Sequence, residues 1–192
     1  MMVSLARLAF NLALPTEAPG MNALNSPDRE EQWIRKLFER AVGGFFMHGL
    51  DYREWNVQCG MKLSWQISKK TESIDSIMPS MKTDIFLENK VTKHQTIIDT
   101  KFTDIVCSGW YREESLKSGY LYQIYAYLRT QEKKEDLASL CSTGILLHPA
   151  IDRRYDEAIV LDGHCIRFLT VDLARNAVEI RKDLLKCVEE PF

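Results

Sequence analysis

No stretch of this chain stays apolar for the ~20 residues that a membrane-spanning helix needs. The N-terminal run MMVSLARLAFNLALPTEAPG is too short and is interrupted by Arg7 and Asn11, with no basic region before it, so it does not read as an export signal. Leu5, Leu8 and Leu12 instead fit one face of a short helix ended by Pro15. The five cysteines (Cys59, Cys107, Cys141, Cys165, Cys187) never form a C-x-x-C pair, which argues against a disulfide framework, a zinc ribbon or an iron–sulfur cluster. The expectation is a soluble, cytoplasmic protein with reduced thiols. A basic excess is also missing: 25 Lys and Arg stand against 27 Asp and Glu, a net charge of -2. No global field draws nucleic acid, so contact with DNA would need locally clustered lysines and arginines or a partner. The chain has no G-x-x-x-x-G-K-[ST], no H-E-x-x-H and no G-x-S-x-G, and it shows no internal repeat.

The 192 residues suit one domain with a proper core. Residues 1–26 read as an N-terminal helix and a Pro-rich linker, and 27–192 as the folded domain. Ser26 and Pro27 open a long helix whose apolar stripe runs Trp33, Ile34, Leu37, Phe38, Ala41, Val42, Phe45 and Phe46. Glu39 falls at the margin of that stripe, from which it can reach inward. Strands are expected at KLSWQIS (62–68), KTDIFLE (82–88), QTIIDTKF (95–102), TGILLHP (143–149), EAIVLD (157–162) and HCIRFLTV (164–171). Helices are expected over about 117–140, with TQEKKEDLASL as a charged continuation or a break, and over about 172–188. The order predicts an α/β fold, a mixed central sheet flanked by helices.

TIIDTKF (96–102) puts an acid and a lysine into an apolar, β-branched strand. Alternation turns Asp99 and Lys101 to the same face, and burying both is expensive unless something compensates them. Asp84, 15 residues earlier on the preceding strand, would come beside them across a hairpin-like connection. Two carboxylates at one point repel, and a divalent cation removes that conflict. A surface ion pair is the plainer reading of Asp-x-Lys alone; the second acid on an adjacent strand favours chemistry. YLYQIYAYL (120–128) sets Gln123 and Tyr127 on one helical face. Trp33 and Trp65 read as core, and Trp110, in the loop after the charged strand, as a residue able to stack on a base. His148, before Pro149, reads as structural. The doublets Lys69-Lys70, Lys133-Lys134 and Arg153-Arg154 read as solvated surface.

Acid, then Asp-x-Lys, then Gln-x-x-x-Tyr on the following helix resembles the PD-(D/E)XK nuclease superfamily in its RecB-like branch. RKLFERAV, MPSMKTDIFL, TIIDTKF, LYQIYAYL and GILLHP, in this order, resemble the nuclease domain of McrC, the cleaving subunit of McrBC modification-dependent restriction systems. The resemblance implies a PD-(D/E)XK restriction-endonuclease-like core and a magnesium-dependent DNA endonuclease for which Mn2+ can substitute. It implies Asp84, Asp99, Glu39 and Thr100 as metal ligands, Lys101 as the catalytic lysine, and Gln123 and Tyr127 as supporting or DNA-contacting residues. It also implies double-stranded DNA as substrate, an McrB-like AAA+ GTPase as partner in phage defence, and a possible homodimer on DNA. Thr83 stands where the superfamily pattern has proline, and GGFFMHGL is less aromatic and basic than the pattern after the first helix. McrC-like proteins usually carry a further N-terminal, partner-engaging region, which leaves a truncated or split subunit and a free-standing nuclease both open. Two rival readings remain: a non-catalytic nuclease-fold module that binds a AAA+ partner, and a nuclease for RNA or branched DNA.

Overall fold

The computed structural model describes residues 27–108 and 113–190. The expected N-terminal helix, the linker with Ser26, and Trp110 lie outside the described residues. The long helix α1 (Pro27–Gly49) leads into strand β1 (Trp55–Cys59), the short strands β2 (Lys62–Leu63) and β3 (Met81–Lys82), and then β4 (Ile85–Asn89) and β5 (Gln95–Thr100). A small hairpin of β6 (Val106–Ser108) and β7 (Glu114–Leu116) precedes helix α2 (Ser118–Thr130). Strands β8 (Thr143–Pro149), β9 (Asp156–Leu161) and β10 (His164–Val171) and helix α3 (Ala177–Leu185) complete the chain. Six strands form one sheet in the order β1-β4-β5-β8-β10-β9. The pairings β5–β8 and β8–β10 are parallel and the others antiparallel, so the sheet is mixed. This is an α/β architecture consistent with a PD-(D/E)XK-like core.

Strand alternation divides the sheet's apolar side chains between two cores. Ile85, Leu87, Ile98, Ile145 and Leu147 face one way and meet Phe38, Val42 and Phe46 of α1 and Ile180 and Leu184 of α3. Phe86, Ile97, Leu146, Ile166 and Phe168 face the other way and meet Ile124, Tyr127 and Leu128 of α2. Helix α2 lies close over the sheet at Gly144. A Cβ there would stand 2.7 Å from Ile124 Cγ1 and 2.9 Å from Leu128 Cδ1. Gly144→Ala is therefore expected to destabilise by about 1–3 kcal/mol through overpacking. Urea denaturation reads the effect, and an unchanged midpoint would show that α2 yields freely.

Several expected elements differ. Only two residues of KLSWQIS are strand. Beyond them Trp65 donates its indole N–H to the Pro79 carbonyl (2.7 Å), and the Gln66 amide donates to the carbonyls of Thr130 (2.8 Å) and Glu132 (2.6 Å). Those contacts tie the segment to a loop and to the end of α2 rather than to a sheet. KTDIFLE is interrupted at Thr83-Asp84, between β3 and β4. The charged tail after α2 is a break, with a single 3-10 turn at Leu137–Leu140. The closing helix starts late, because Asn176 caps it by accepting from the N–H groups of Val178 and Glu179. Trp33 is 52% exposed rather than core. It sits about 100° from Ile34 around α1, outside the row Ile34, Phe38, Val42 and Phe46 that meets the sheet. Trp65 packs half-buried against the α2-side core.

Candidate active site

The register between β4 and β5 builds the site. Ile85 lies opposite Ile98 and Phe86 opposite Ile97, so continuing by one residue sets Asp84 opposite Asp99. Both side chains fall on the α2 face, with Phe86 and Ile97 behind them. Asp84 stands just before β4, and Lys101 just after β5, where its N–H donates to the Leu147 carbonyl at 2.9 Å and keeps the strand end on β8. The charges therefore occupy the ends of two central strands, where the backbone is held on both sides.

Each side chain has a defined partner. Asp84 Oδ2 accepts from the Thr100 N–H and the Thr100 hydroxyl, both at 2.7 Å. Lys101 Nζ lies 2.7 Å from Asp99 Oδ2 and donates to Gln123 Oε1 at 3.1 Å. The Lys101–Asp99 contact is an ion pair rather than a well-directed hydrogen bond, since Asp99 Oδ2 has no partner that meets hydrogen-bond geometry. Gln123 Nε2 in turn donates to the Tyr127 hydroxyl at 2.7 Å, which fixes the amide with its oxygen towards the lysine. The Tyr120 ring lies 4.8 Å from Lys101 Nζ, within cation–π range.

Asp99 is 2% exposed, and burial raises its pKa to about 6. Lys101 opposes that rise, while Asp84 and Glu39 add to it. Burial likewise raises the pKa of Glu39, followed by the charge of Asp84, while Lys82, Arg40 and Lys36 pull it down. Burial keeps His148 neutral, with a pKa of about 4, and its Nδ1 pairs with the Thr103 carbonyl at 2.9 Å behind the cleft.

All seven sequence-derived residues, Glu39, Asp84, Asp99, Thr100, Lys101, Gln123 and Tyr127, line one cleft of about 170 Å3. Arg35, Lys82, Thr103 and Tyr120 line it too and went unnoticed in the sequence. Arg35 precedes Glu39 by one helical turn, and Lys82 precedes Asp84 by two residues, a spacing that could have flagged both. Tyr120 lies one turn before Gln123. Among the described residues, no group of three His, Cys, Asp or Glu side chains is set close enough to enclose a metal ion.

The McrBC 5-methylcytosine restriction system component family matches residues 33–148, from α1 through nearly all of β8. The chain belongs to that family. Every residue that lines the cleft falls inside the matched span. The McrBC match places the chain in a restriction system, and no curated protein matches it. No helix among the described residues is long and apolar enough to cross a membrane.

Proposed function

We propose that this chain is the phosphodiester-cleaving subunit of an McrBC-type restriction system, a magnesium-dependent endonuclease acting on double-stranded DNA. The observation that carries the reading is the polar cleft in which buried Asp99, Asp84 and Lys101 meet at adjoining strand ends. A sheet surface gains nothing from two facing carboxylates, one of them almost fully buried, whereas phosphoryl transfer uses them.

The donor set fits a hard divalent cation. Magnesium commonly takes one or two carboxylates from a protein and fills its remaining positions with water and phosphate oxygens. Asp84 and Asp99 would supply those ligands, with Glu39 at the margin; Thr100 gives both its donors to Asp84, so any ligand role falls to its oxygen lone pairs. Such an ion would supply Lewis-acid stabilisation of charge growing on phosphate oxygen.

Lys101, braced by Asp99, Gln123 and the Tyr120 ring, holds the attacking water and offsets the charge that develops on phosphorus-bound oxygen. Water oxygen bonds to phosphorus in line and gives up a proton to solvent, the bond to the 3′ oxygen breaks, and that oxygen takes up a proton. The ends are a 5′-phosphate and a 3′-hydroxyl. Tyr127 acts through Gln123 on the lysine and does not need to touch substrate. The driving partner on this reading is a AAA+ GTPase, and paired cuts on opposite strands would take two copies on one duplex.

Nicking of supercoiled plasmid tests the proposal, comparing wild type with Asp99→Ala with and without Mg2+ or Mn2+. Metal-dependent nicking that vanishes in the variant supports the site. Nicking that survives Asp99→Ala comes from elsewhere and sinks the assignment.

A further inference from the structure

The chain as a whole carries no basic excess, yet its fold gathers cations beside the cleft. Along α1, Arg35, Lys36 and Arg40 are all exposed and surround Glu39 in sequence. From the other side come Lys62 and Lys82, both exposed and directly opposite each other in the β2–β3 pair. Arg35 and Lys82 reach the cleft wall itself. Lys82, Arg40 and Lys36 all act electrostatically on Glu39, so the helix and the β2–β3 pair converge on one edge of the acidic site.

Two features show that this edge is built. Like charges directly opposite each other on an antiparallel pair destabilise it, and β2–β3 keeps such a pair in only two residues per strand. Furthermore, Lys82 lies across Gly60. A Cβ on Gly60 would stand 2.6 Å from Lys82 Cε and 3.0 Å from Nζ, so a side chain there would push the flexible end of the lysine aside. Gly60 also has φ +69°, in the region glycine favours, and its N–H donates to the Asp84 carbonyl at 2.8 Å. The turn that supports Asp84 is therefore the turn over which Lys82 passes. Among the described residues, Lys36, Arg40, Lys62 and Lys82 form no ion pair with any acid, although acids slightly outnumber bases in the chain.

We infer that Lys62 and Lys82 of the β2–β3 pair, with Arg35, Lys36 and Arg40 of α1, form a phosphate-tracking rail that grips the sugar–phosphate backbone of a duplex and feeds it to the acidic cleft. This rests on the nuclease reading above and adds to it the surface by which the substrate strand is held. The charge complementarity is direct. A polyanion relieves the repulsion between Lys62 and Lys82, and Arg35 and Lys82 at the cleft wall hold phosphates next to the acids, which on their own repel them. As phosphate contacts these cations set the register of the duplex and carry no sequence information.

The test is the salt dependence of duplex binding, followed by fluorescence anisotropy of a labelled 30-base-pair DNA in chelator between 50 and 200 mM salt. The double change Lys62→Gln/Lys82→Gln is compared with wild type and with Lys182→Gln, a change of exposed charge on α3. Each lost phosphate contact lowers the slope of log K against log salt by about 0.9. The double variant is expected to lose nearly two units of slope, with Lys182→Gln unchanged. A slope equal to wild type in the double variant, or no duplex binding by wild type at 50 mM salt, overturns the rail. The plasmid assay separates the two readings. Asp99-dependent cutting with an unaltered slope leaves the nuclease standing without the rail. A reduced slope without any metal-dependent cutting leaves a DNA-binding surface without the chemistry.

Discussion

Lys101→Met is expected to leave a folded protein that nicks plasmid on the order of a thousandfold more slowly than wild type. Methionine keeps the length and most of the stem of lysine and removes only the charge and its donors. The Nζ it replaces stands 2.7 Å from Asp99, 3.1 Å from Gln123 Oε1 and 4.8 Å from the Tyr120 ring centre, so one atom joins the end of β5 to the first two turns of α2. Losing a placed charge or donor at the reacting phosphate typically costs about 10²–10⁴ in rate. The variant also removes the charge that lowers the Asp99 pKa, so Asp99 should titrate higher than about 6. Any residual cleavage should then rise over a more alkaline range than in wild type. A pH–rate profile together with circular dichroism checks both parts. Wild-type rates in a folded Lys101→Met protein would remove the lysine from the mechanism.

The second large effect concerns stability. Asp99 titrates at about 6 in the fold against an ordinary 3.8. Between those values the native state holds a proton that the unfolded chain has released. The stability this group contributes is therefore full below about pH 4 and is lost as pH rises through about 6. At ~1.4 kcal/mol per pH unit, the gap is worth about 3 kcal/mol. Asp99→Asn has no such titration, so its stability relative to wild type should improve by about that amount between pH 4 and pH 7.5. Urea denaturation at several pH values reads the difference, and parallel curves for the two proteins would contradict it. A bound divalent cation favours the deprotonated form. Magnesium should thus raise the wild-type melting temperature more at pH 7.5 than at pH 5, and should do little for Asp99→Asn.

Sequence periodicity carried far where burial is one-sided or complete. TGILLHP and HCIRFLTV are strands at the residues their apolar runs mark, because both lie inside the sheet and pack on both faces. Asp84, Asp99 and Lys101 could be brought together on paper because hairpin pairing of two strands needs no knowledge of the rest of the fold. Glu39, Gln123 and Tyr127 could be proposed only through helical geometry and a resemblance, since a glutamate at a stripe margin and a glutamine among tyrosines have ordinary explanations. The edge strand β1 escaped notice: WNVQC alternates weakly and is half exposed. KLSWQIS misled because Leu63, Trp65 and Ile67 alternate like a strand, while Trp65 and Gln66 spend their hydrogen bonds on a loop and on the end of α2. Trp33 misled because hydrophobic character says nothing of angular position within a degree-scale stripe. Lys82 and Arg35 went unnoticed although each stands at a same-face spacing from a site acid, because such a spacing is ordinary for exposed basic residues until the fold sets them beside a cleft.

The two hydrogen bonds from Thr100 to Asp84 bear on which ion the site could prefer. Both land on Oδ2, so that oxygen's lone pairs are already engaged and only Oδ1 faces outward without them. A carboxylate restrained in this way offers one oxygen and cannot readily clasp an ion with two. Calcium is large, wants six to eight oxygens and often draws them from bidentate carboxylates. Magnesium asks for single oxygens at the corners of an octahedron and keeps its waters. On the proposed metal-dependent reading, one threonine, by occupying half of its neighbour's carboxylate, would tilt the site towards the smaller ion before any ion arrives.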